Sequence, residues 1–341
     1  MVKINRVKCA VTLCFAVIIV IYCCSNAGFI KIGSRFIWTF NRGYYNDLGI
    51  YFYTNDYIVS PAGKTSTDYE FDQLCALKEE CDKAGVDLLF VNKPTKYLDD
   101  SIFDKMGVKC YCNQNADKLI SRLRDVGIDC LDLRESLTDE GLNIYDMFYR
   151  TDHHWTVPAG KWAACKIAEH LNQTCGYSID TSIYNDSNYT FKTTHNAWLG
   201  EQGMKLTGSP IQYDDYTLVT PNFTTSYDFD GYKNDFSYFI NDPNMCAHYN
   251  YNAIDCENEL VDKGNILFLG DSYDMVTEPF LSLGVHKIHF DIRRNMSNSI
   301  SISNNISSGN FDTVIVCYAA FMIGAHDDPK SANYDMFTLA K

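Results

Sequence analysis

The sequence predicts an α/β fold built around a parallel sheet. Helical periodicities alternate with short apolar runs over residues 67–133, and more apolar runs follow from residue 265 onward. Short apolar runs are typical of strands covered on both faces, as in a parallel sheet. With 46% hydrophobic residues among 341, the chain can bury a substantial core. We therefore expect one α/β domain over residues 67–341, with right-handed crossovers.

Two helix–strand units open this domain. Apolar residues recur at helical spacing over 71–84, and residues 86–91 follow as a buried strand. The same succession returns with a helical face over 119–126 and a strand over 128–133. The repetition supports alternating helices and strands along one sheet.

A third helix and three later strands complete the predicted sheet. The helix runs over 157–171, with Thr156 as its N-cap and Pro158 in the first turn, where the missing amide donor costs nothing. The later strands are short apolar runs at 265–269, 285–290 and 313–317.

Residues 178–262 are predicted to be an insertion, because long apolar runs are scarce there and Tyr, Asn, Asp and Thr abound. Its aromatic side chains can either stack on sugar rings or pack a small satellite core, and we favour the second interpretation. These aromatics are Tyr213, Tyr216, Phe223, Tyr227, Phe229, Tyr232, Phe236, Tyr238 and Phe239.

The amino terminus has the pattern of an export signal. Three basic residues and no acids lie within residues 1–27, and an apolar run spans 9–24. This length fits a single membrane span, and residues 25–27 also loosely fit a signal-peptide cleavage site. We expect an anchor or a cleaved signal, then a lead-in of short strands over 28–66, with the domain outside the cytoplasmic membrane or secreted.

The acidic balance argues against nucleic acid as a partner. The formal net charge is −14, and because the amino-terminal segment is basic, the remainder is more acidic still. Such a surface repels phosphate backbones.

Ten of the fourteen cysteines lie beyond the amino-terminal apolar run. In an oxidising compartment they permit disulfides across short loops. Cys110 and Cys112 lack a second pair at zinc-finger spacing, so we expect no metal site. The closely spaced candidates are Cys75/Cys81, Cys165/Cys175 and Cys246/Cys256.

The run Leu267–Ser272 is an apolar strand that ends in Gly-Asp-Ser and leads into a predicted helix near Tyr273. A serine at the carboxyl end of a parallel strand lies where open α/β sheets bind ligands, and its amide can face an oxyanion. Ser272 is therefore a candidate nucleophile, although Gly-Asp-Ser also occurs as ordinary turn chemistry.

The segment Thr151–Thr156 supplies the partners that a serine nucleophile needs. A hydroxyl requires an imidazole to accept its proton and a carboxylate to orient that imidazole. If the segment is extended, Asp152 and His154 project on one side and His153 on the other. We therefore predict His154 as the base and Asp152 as its orienting acid.

These segments resemble the DHHW family of SGNH-hydrolase-like proteins, which is related to the alginate O-acetylation proteins. Thr-Asp-His-His-Trp-Thr is followed, more than a hundred residues later, by Leu-Gly-Asp-Ser. The resemblance covers roughly residues 67–318. Its supporting segments are Val91–Lys96, Ile128–Leu133 and Phe290–Arg293.

The resemblance implies an SGNH-like sheet and acetyl transfer to a cell-surface or exported polysaccharide, without implying alginate itself. It implies the acid, base and nucleophile roles for Asp152, His154 and Ser272. Arg293 matches an arginine that binds substrate or supports the site, with an ion pair to Asp291 or Asp274 as the alternative. No cofactor is implied, and a separately encoded integral membrane acyltransferase would supply the acetyl group.

The remaining parts of the mechanism stay open at this point. Besides the amide of Ser272, Asn196 or Gly200 in the insertion are candidate oxyanion donors. An acetylesterase would use the same triad, since only the acceptor differs, water or a sugar hydroxyl. A non-catalytic protein of a polysaccharide assembly complex is the third alternative.

Overall fold

The computed structural model bears out the predicted α/β fold, with a mostly parallel central sheet flanked by helices. The chain first forms an antiparallel three-stranded sheet from β1 (Gly43–Asn46), β2 (Gly49–Thr54) and β3 (Tyr57–Val59). The long helix α1 (Asp68–Ala84) and strand β4 (Asp87–Lys93) follow. The structure describes residues 43–46, 49–54, 57–205, 212–229, 232–233, 253–293 and 301–339.

The second unit matches its predicted order. It comprises α2 (Cys112–Asp125), β5 (Asp129–Asp132) and the short α3 (Leu133–Asp139). Helix α4 (Val157–Thr174) begins where predicted, because the Thr156 hydroxyl accepts a hydrogen bond from the backbone of the first turn.

In its described residues, the predicted insertion contains strands, one short α-helix and two 3-10 turns. A hairpin of two long antiparallel strands is followed by three shorter strands. In chain order the elements are β6 (Tyr189–Trp198), α5 (Glu201–Lys205), β7 (Asp214–Pro221), β8 (Tyr227–Phe229), β9 (Tyr232–Lys233) and β10 (Ala253–Asn258).

The carboxyl-terminal part returns to alternating strands and helices. All three late strands are found, each extended by a residue or two beyond its predicted end. They are β11 (Asn265–Gly270), β12 (Lys287–Ile292) and β13 (Thr313–Ala319), interleaved with α6 (Glu278–Leu281) and α7 (Ile302–Ser307).

The described strands of the central sheet have the order β5-β4-β13-β11-β12-β10-β8-β9. The first five are parallel, whereas β10, β8 and β9 add antiparallel to the far side. Part of the predicted insertion therefore belongs to the main sheet. Burial alternates along residues 254–258, which is the two-residue period of a strand with one face covered.

The core lies around β13 and β11, in the middle of the sheet. Every residue of β13 is buried, as are five of the six in β11. Helices α1, α2 and α7 pack as one group, and α3, α4 and α6 form another. Burial of both strand faces explains why these segments are continuous apolar runs.

The predicted satellite core is wrong for the buried aromatic side chain Tyr216, which belongs to the main hydrophobic core. Tyr216 is buried and stacks on Tyr149 with ring centroids 6.2 Å apart, and Trp198 lies beside both. Tyr213 and Phe223 are exposed. Three of the predicted aromatics, Phe236, Tyr238 and Phe239, lie outside the described residues.

The described cysteines are free thiols. Cys75 and Cys81 both lie on α1, where six residues span about 9 Å, beyond the roughly 7 Å that a disulfide allows. Cys165 lies in α4 and Cys175 directly follows it, so about 15 Å of helix separates them. These two predicted pairings are wrong in this structure, and Cys246 of the third pair lies outside the described residues.

Within the described part of the chain, no helix combines the length and apolar character needed to cross a bilayer. The predicted anchor or signal peptide over 1–27 lies outside the described residues.

Candidate active site

Ser272 lies at the carboxyl end of β11, in the turn that leaves the sheet. Asp271 caps a short 3-10 turn over Ser272–Met275, and its side chain accepts the amide of Tyr273. The sequence predicts a longer helix here. Pro279 explains the difference, because a helix running through it would lack one amide donor and α6 must begin anew.

A buried ionic cluster fixes this turn. The Lys93 ammonium, at the end of β4, lies 2.8 Å from Asp271 Oδ1 and also contacts Asp274. Asp271 Oδ2 accepts the amide of Ala319 from β13, over 2.8 Å. Burial opposes the charge on Lys93, but the two carboxylates hold its pKa above the ordinary value. Two acids share one base, and burial raises the pKa of Asp274 to about 7.

Asp152 and His154 lie in a tight loop rather than in an extended segment. An antiparallel bridge between Phe148 and Trp155 closes the loop, and residues 151–154 are bends. The predicted extended conformation is therefore wrong. The two side chains still lie together, because Asp152 Oδ1 accepts the backbone amide of His154 over 3.1 Å.

The three predicted side chains form one row of hydrogen bonds. His154 Nδ1 lies 2.6 Å from Asp152 Oδ1, and His154 Nε2 lies 2.7 Å from Ser272 Oγ. All three residues are at most 5% exposed. Burial alone would raise the pKa of Asp152, but His154 and its hydrogen bond hold that pKa well below the usual carboxyl range. Asp152 thus stays ionised and orients the imidazole.

The loop is anchored by residues that the sequence analysis did not single out. Asp214 accepts the amide and the hydroxyl of Thr151, over 2.8 and 2.5 Å. Asp152 Oδ2 accepts the amide of Glu201, at the start of α5, over 2.8 Å. The insertion therefore holds the triad loop in place.

Gly200 packs against Asp152, and its backbone amide is bonded to Thr151. Its amide donates to the Thr151 hydroxyl over 2.8 Å. A methyl group added at Gly200 would lie 2.3 Å from Asp152 Cβ, so only glycine permits this approach. The predicted role as an oxyanion donor is wrong in this structure, since the amide is already used.

Two further predicted side chains have partners elsewhere. Asn196 lies exposed on the hairpin, where its backbone amide donates to Asp215 and its side-chain Oδ1 accepts from Gln212 Nε2. Arg293 is fully buried, with Nη1 3.2 Å from Asp291 and Nε donating to the carbonyl of Thr338. Arg293 therefore forms the ion pair with Asp291 that was predicted as the alternative, and its burial does not fit substrate binding.

A cavity of about 890 Å³ adjoins the triad. The chain neighbours of the base and the nucleophile, His153 and Tyr273, line it, together with Glu201 and Phe321. The Tyr273 hydroxyl donates to the carbonyl of His153, which ties the two walls together. A molecule in this space lies beside the row of hydrogen bonds.

Lys96 is the buried cation of the cavity wall. Its ammonium donates to the carbonyls of Ile58 and Arg150, over 2.9 and 3.1 Å, and to Gln202 Oε1 over 3.1 Å. Burial lowers the pKa of Lys96 to about 7, although nearby carboxylates oppose this. One side chain therefore joins β3, the triad loop and α5.

Asp152, His153 and His154 also offer ligand atoms within 4.8 Å of one another, the spacing of a possible metal site. Both ring nitrogens of His154 are hydrogen-bonded, one to Asp152 and one to Ser272. This arrangement suits proton transfer between serine and imidazole.

The α/β sheet, with Gly-Asp-Ser at the end of a central strand, has an SGNH-like fold. Residues 51–204 match the family model of the SGNH hydrolase-like domain of the acetyltransferase AlgX. The match confirms the resemblance predicted from Asp-His-His-Trp. The match begins before residue 67, where the predicted domain starts, and therefore includes β3 of the lead-in segment. A comparison with curated protein sequences finds no match.

Solved structures share the fold across most of the chain. PatB1 of Bacillus cereus, in a structure with a sulfonyl adduct, is 19% identical with a TM-score of 0.67, covering 87% of this chain and 100% of its own. A DHHW family protein of Eubacterium siraeum is 15% identical with a TM-score of 0.63, covering 84% and 95%. The O-acetyltransferase domain of Pseudomonas putida AlgJ is 13% identical with a TM-score of 0.51, covering 81% and 93%.

Proposed function

We propose that this chain is an extracytoplasmic O-acetyltransferase that acetylates hydroxyls of a cell-surface or exported polysaccharide. The observation that carries the proposal is the unbroken row of hydrogen bonds from Asp152 through His154 to Ser272. The descriptions of AlgX as an acetyltransferase and of the AlgJ domain as an O-acetyltransferase support acyl transfer as the reaction class.

The reaction passes through an acetyl-serine. His154 Nε2 accepts the Ser272 proton as Oγ bonds to the acetyl carbonyl carbon, and the donor's leaving group departs with that proton. A sugar hydroxyl then gives its proton to His154 and attacks the ester. The proton returns to Ser272 as the acetylated sugar leaves, so the enzyme is regenerated.

The Ser272 amide is the candidate donor to the tetrahedral oxyanion. Ser272 is the first residue of its 3-10 turn, where backbone amides have no acceptor within the turn. A preorganised donor of this kind contributes about 3 to 4 kcal/mol to transition-state stabilisation.

The acetyl donor would come from a partner. Cytosolic acetyl-CoA does not reach an exported domain, so an integral membrane acyltransferase would pass acetyl groups across the bilayer. If residues 1–27 are retained as an anchor, they would keep Ser272 near that partner and raise its effective concentration.

Turnover of p-nitrophenyl acetate tests the proposal. The full chain is compared with Ser272→Ala, with and without candidate oligosaccharides, and products are analysed by mass spectrometry. We expect serine-dependent release and acetylated oligosaccharide. Serine-dependent release with acetate as the only product would favour an acetylesterase.

Covalent labelling separates the remaining alternative. A sulfonyl fluoride should add one sulfonyl group at Ser272, found by peptide mass spectrometry, and acetyl ester turnover should stop. A folded chain that neither hydrolyses the ester in a Ser272-dependent way nor becomes labelled would favour a non-catalytic assembly protein.

A further inference from the structure

The cavity beside the triad carries a negative charge at its mouth. Glu201 begins α5, and its backbone amide is held by Asp152. Its side chain is 47% exposed, with Oε2 3.8 Å from His153 Nδ1. The His153 ring in turn contacts the His154 ring in a tilted arrangement, with ring centroids 3.9 Å apart. The Glu201 carboxylate thus lies on the cavity wall beside His153, the chain neighbour of His154.

The lysine of the cavity wall already has hydrogen-bond partners within the protein. Among the described lining residues, Lys96 is the one lysine or arginine, and its donors go to two carbonyls and Gln202. A second carboxylate, Asp328, lies exposed on the lining. Recognition of a carboxylate generally relies on accessible arginine or lysine donors. The cavity wall instead carries two carboxylates, Glu201 and Asp328.

The cavity also has surfaces suited to sugars. The Phe321 ring is partly exposed on its wall, and an exposed aromatic face can pack against the apolar face of a sugar ring. Its volume, about 890 Å³, is in the range of sites for small ligands and leaves room for a short oligosaccharide.

We infer that this cavity binds the acceptor glycan and selects uncharged or amino-bearing sugars over uronates, with Glu201 setting the preference. The inference rests on the proposed function, since it names the substrate class of that site. A uronate would place its carboxylate against Glu201, whereas an amino or hydroxyl group can donate to it.

Binding without turnover tests this inference. The full chain carrying Ser272→Ala is titrated calorimetrically with length-matched oligomers of glucose, glucosamine and galacturonic acid. We expect the galacturonate oligomer to bind at least roughly tenfold more weakly than the glucosamine oligomer, from charge repulsion at this distance. Adding Glu201→Gln should reduce the ratio of the galacturonate to the glucosamine dissociation constant roughly threefold to tenfold.

Asp125→Asn is the matched control because it removes the same charge. Asp125 is exposed at the end of α2, just before β5 begins. It therefore lies near the amino-terminal ends of the parallel strands, whereas Ser272 lies at their carboxyl ends. Equal effects of the two substitutions, galacturonate binding as tight as glucosamine binding, or no binding of any oligomer would overturn the inference. Because no acetyl transfer is needed, this result is independent of the turnover test.

Discussion

Asp152 accepts three hydrogen bonds, from the backbone and imidazole of His154 and from the amide of Glu201. Each bond stabilises the ionised carboxylate in a buried place, where an unpaired charge would be costly. The side chain is therefore a fixed negative end for the imidazole. In the proposed reaction, Asp152 would hold one tautomer of His154 toward Ser272.

Asp152→Asn should lower kcat for p-nitrophenyl acetate by roughly 10⁴-fold, because the amide favours the wrong tautomer of His154. Asp215→Asn is the control, since Asp215 is a surface acid paired with an exposed histidine, His195. Steady-state kinetics on both variants checks this. Equal losses, or none, would contradict the role of Asp152.

Gly200→Ala should destabilise the fold by about 1 to 3 kcal/mol and reduce turnover, because the new methyl group overlaps Asp152. Gly63→Ala is the control for stability, as no atom lies within 4 Å of its added methyl group. Urea unfolding measures the difference. Equal unfolding free energies for the two variants would contradict the prediction, because the loop would then accommodate the added methyl group without loss of stability.

At the scale of elements, three strand ends meet beside Ser272. Lys93 ends β4, Asp271 follows β11 and Ala319 ends β13, and their side chains and amides are bonded to one another. The cluster sets the direction in which Ser272 leaves the sheet. A buried base with two acids is costly to disturb, because either partner alone would be an uncompensated charge.

Lys93→Met should lower the free energy of unfolding by about 3 to 5 kcal/mol, since it leaves two buried carboxylates without their base. Lys78→Met removes a partly exposed lysine that pairs with Asp82 one helical turn away, and should cost less than about 1 kcal/mol. Denaturant titration compares the two. A loss no greater than the control's would contradict the account of the cluster.

At the scale of the molecule, the site is assembled from distant parts of the chain. Lys96 contacts the lead-in strand at Ile58, the triad loop at Arg150 and α5 at Gln202. Ile58 also donates its amide to Arg150. The lead-in is thus part of the site's framework, and its ordering and that of the insertion are coupled through one side chain.

Lys96 predicts a pH dependence of stability. Its folded pKa, about 7, lies below the ordinary 10.5, so between these values the unfolded state binds more protons. The free energy of unfolding of the natural chain, relative to Lys96→Met, should therefore rise from pH 7 to pH 10.5. Urea titrations across this range check it, with the exposed Lys83→Met as control. A flat difference would contradict the lowered pKa.

The local patterns predicted five strands of the central sheet, three of its helices and the two segments that meet at Ser272. Each depends on residues close in sequence: a period, a cap at Thr156, or a strand ending in Gly-Asp-Ser. The sequence could not predict the contacts made by Lys93, Asp214 and Gly200. Each of these contacts joins residues that are far apart in the chain and depends on how the folded elements are arranged. Lys93 did carry a signal, as a lysine ending an otherwise apolar strand.

The two outer strands of the central sheet also bear on how the protein behaves when concentrated. Among the described strands, the sheet ends in β5, of four residues, and β9, of two. Residue 129 opens β5 with an aspartate and residue 132 ends it with another. Short edge strands with charged residues offer little template for pairing with a strand of another chain. Intermolecular strand addition and fibril growth are therefore disfavoured as long as the protein stays folded.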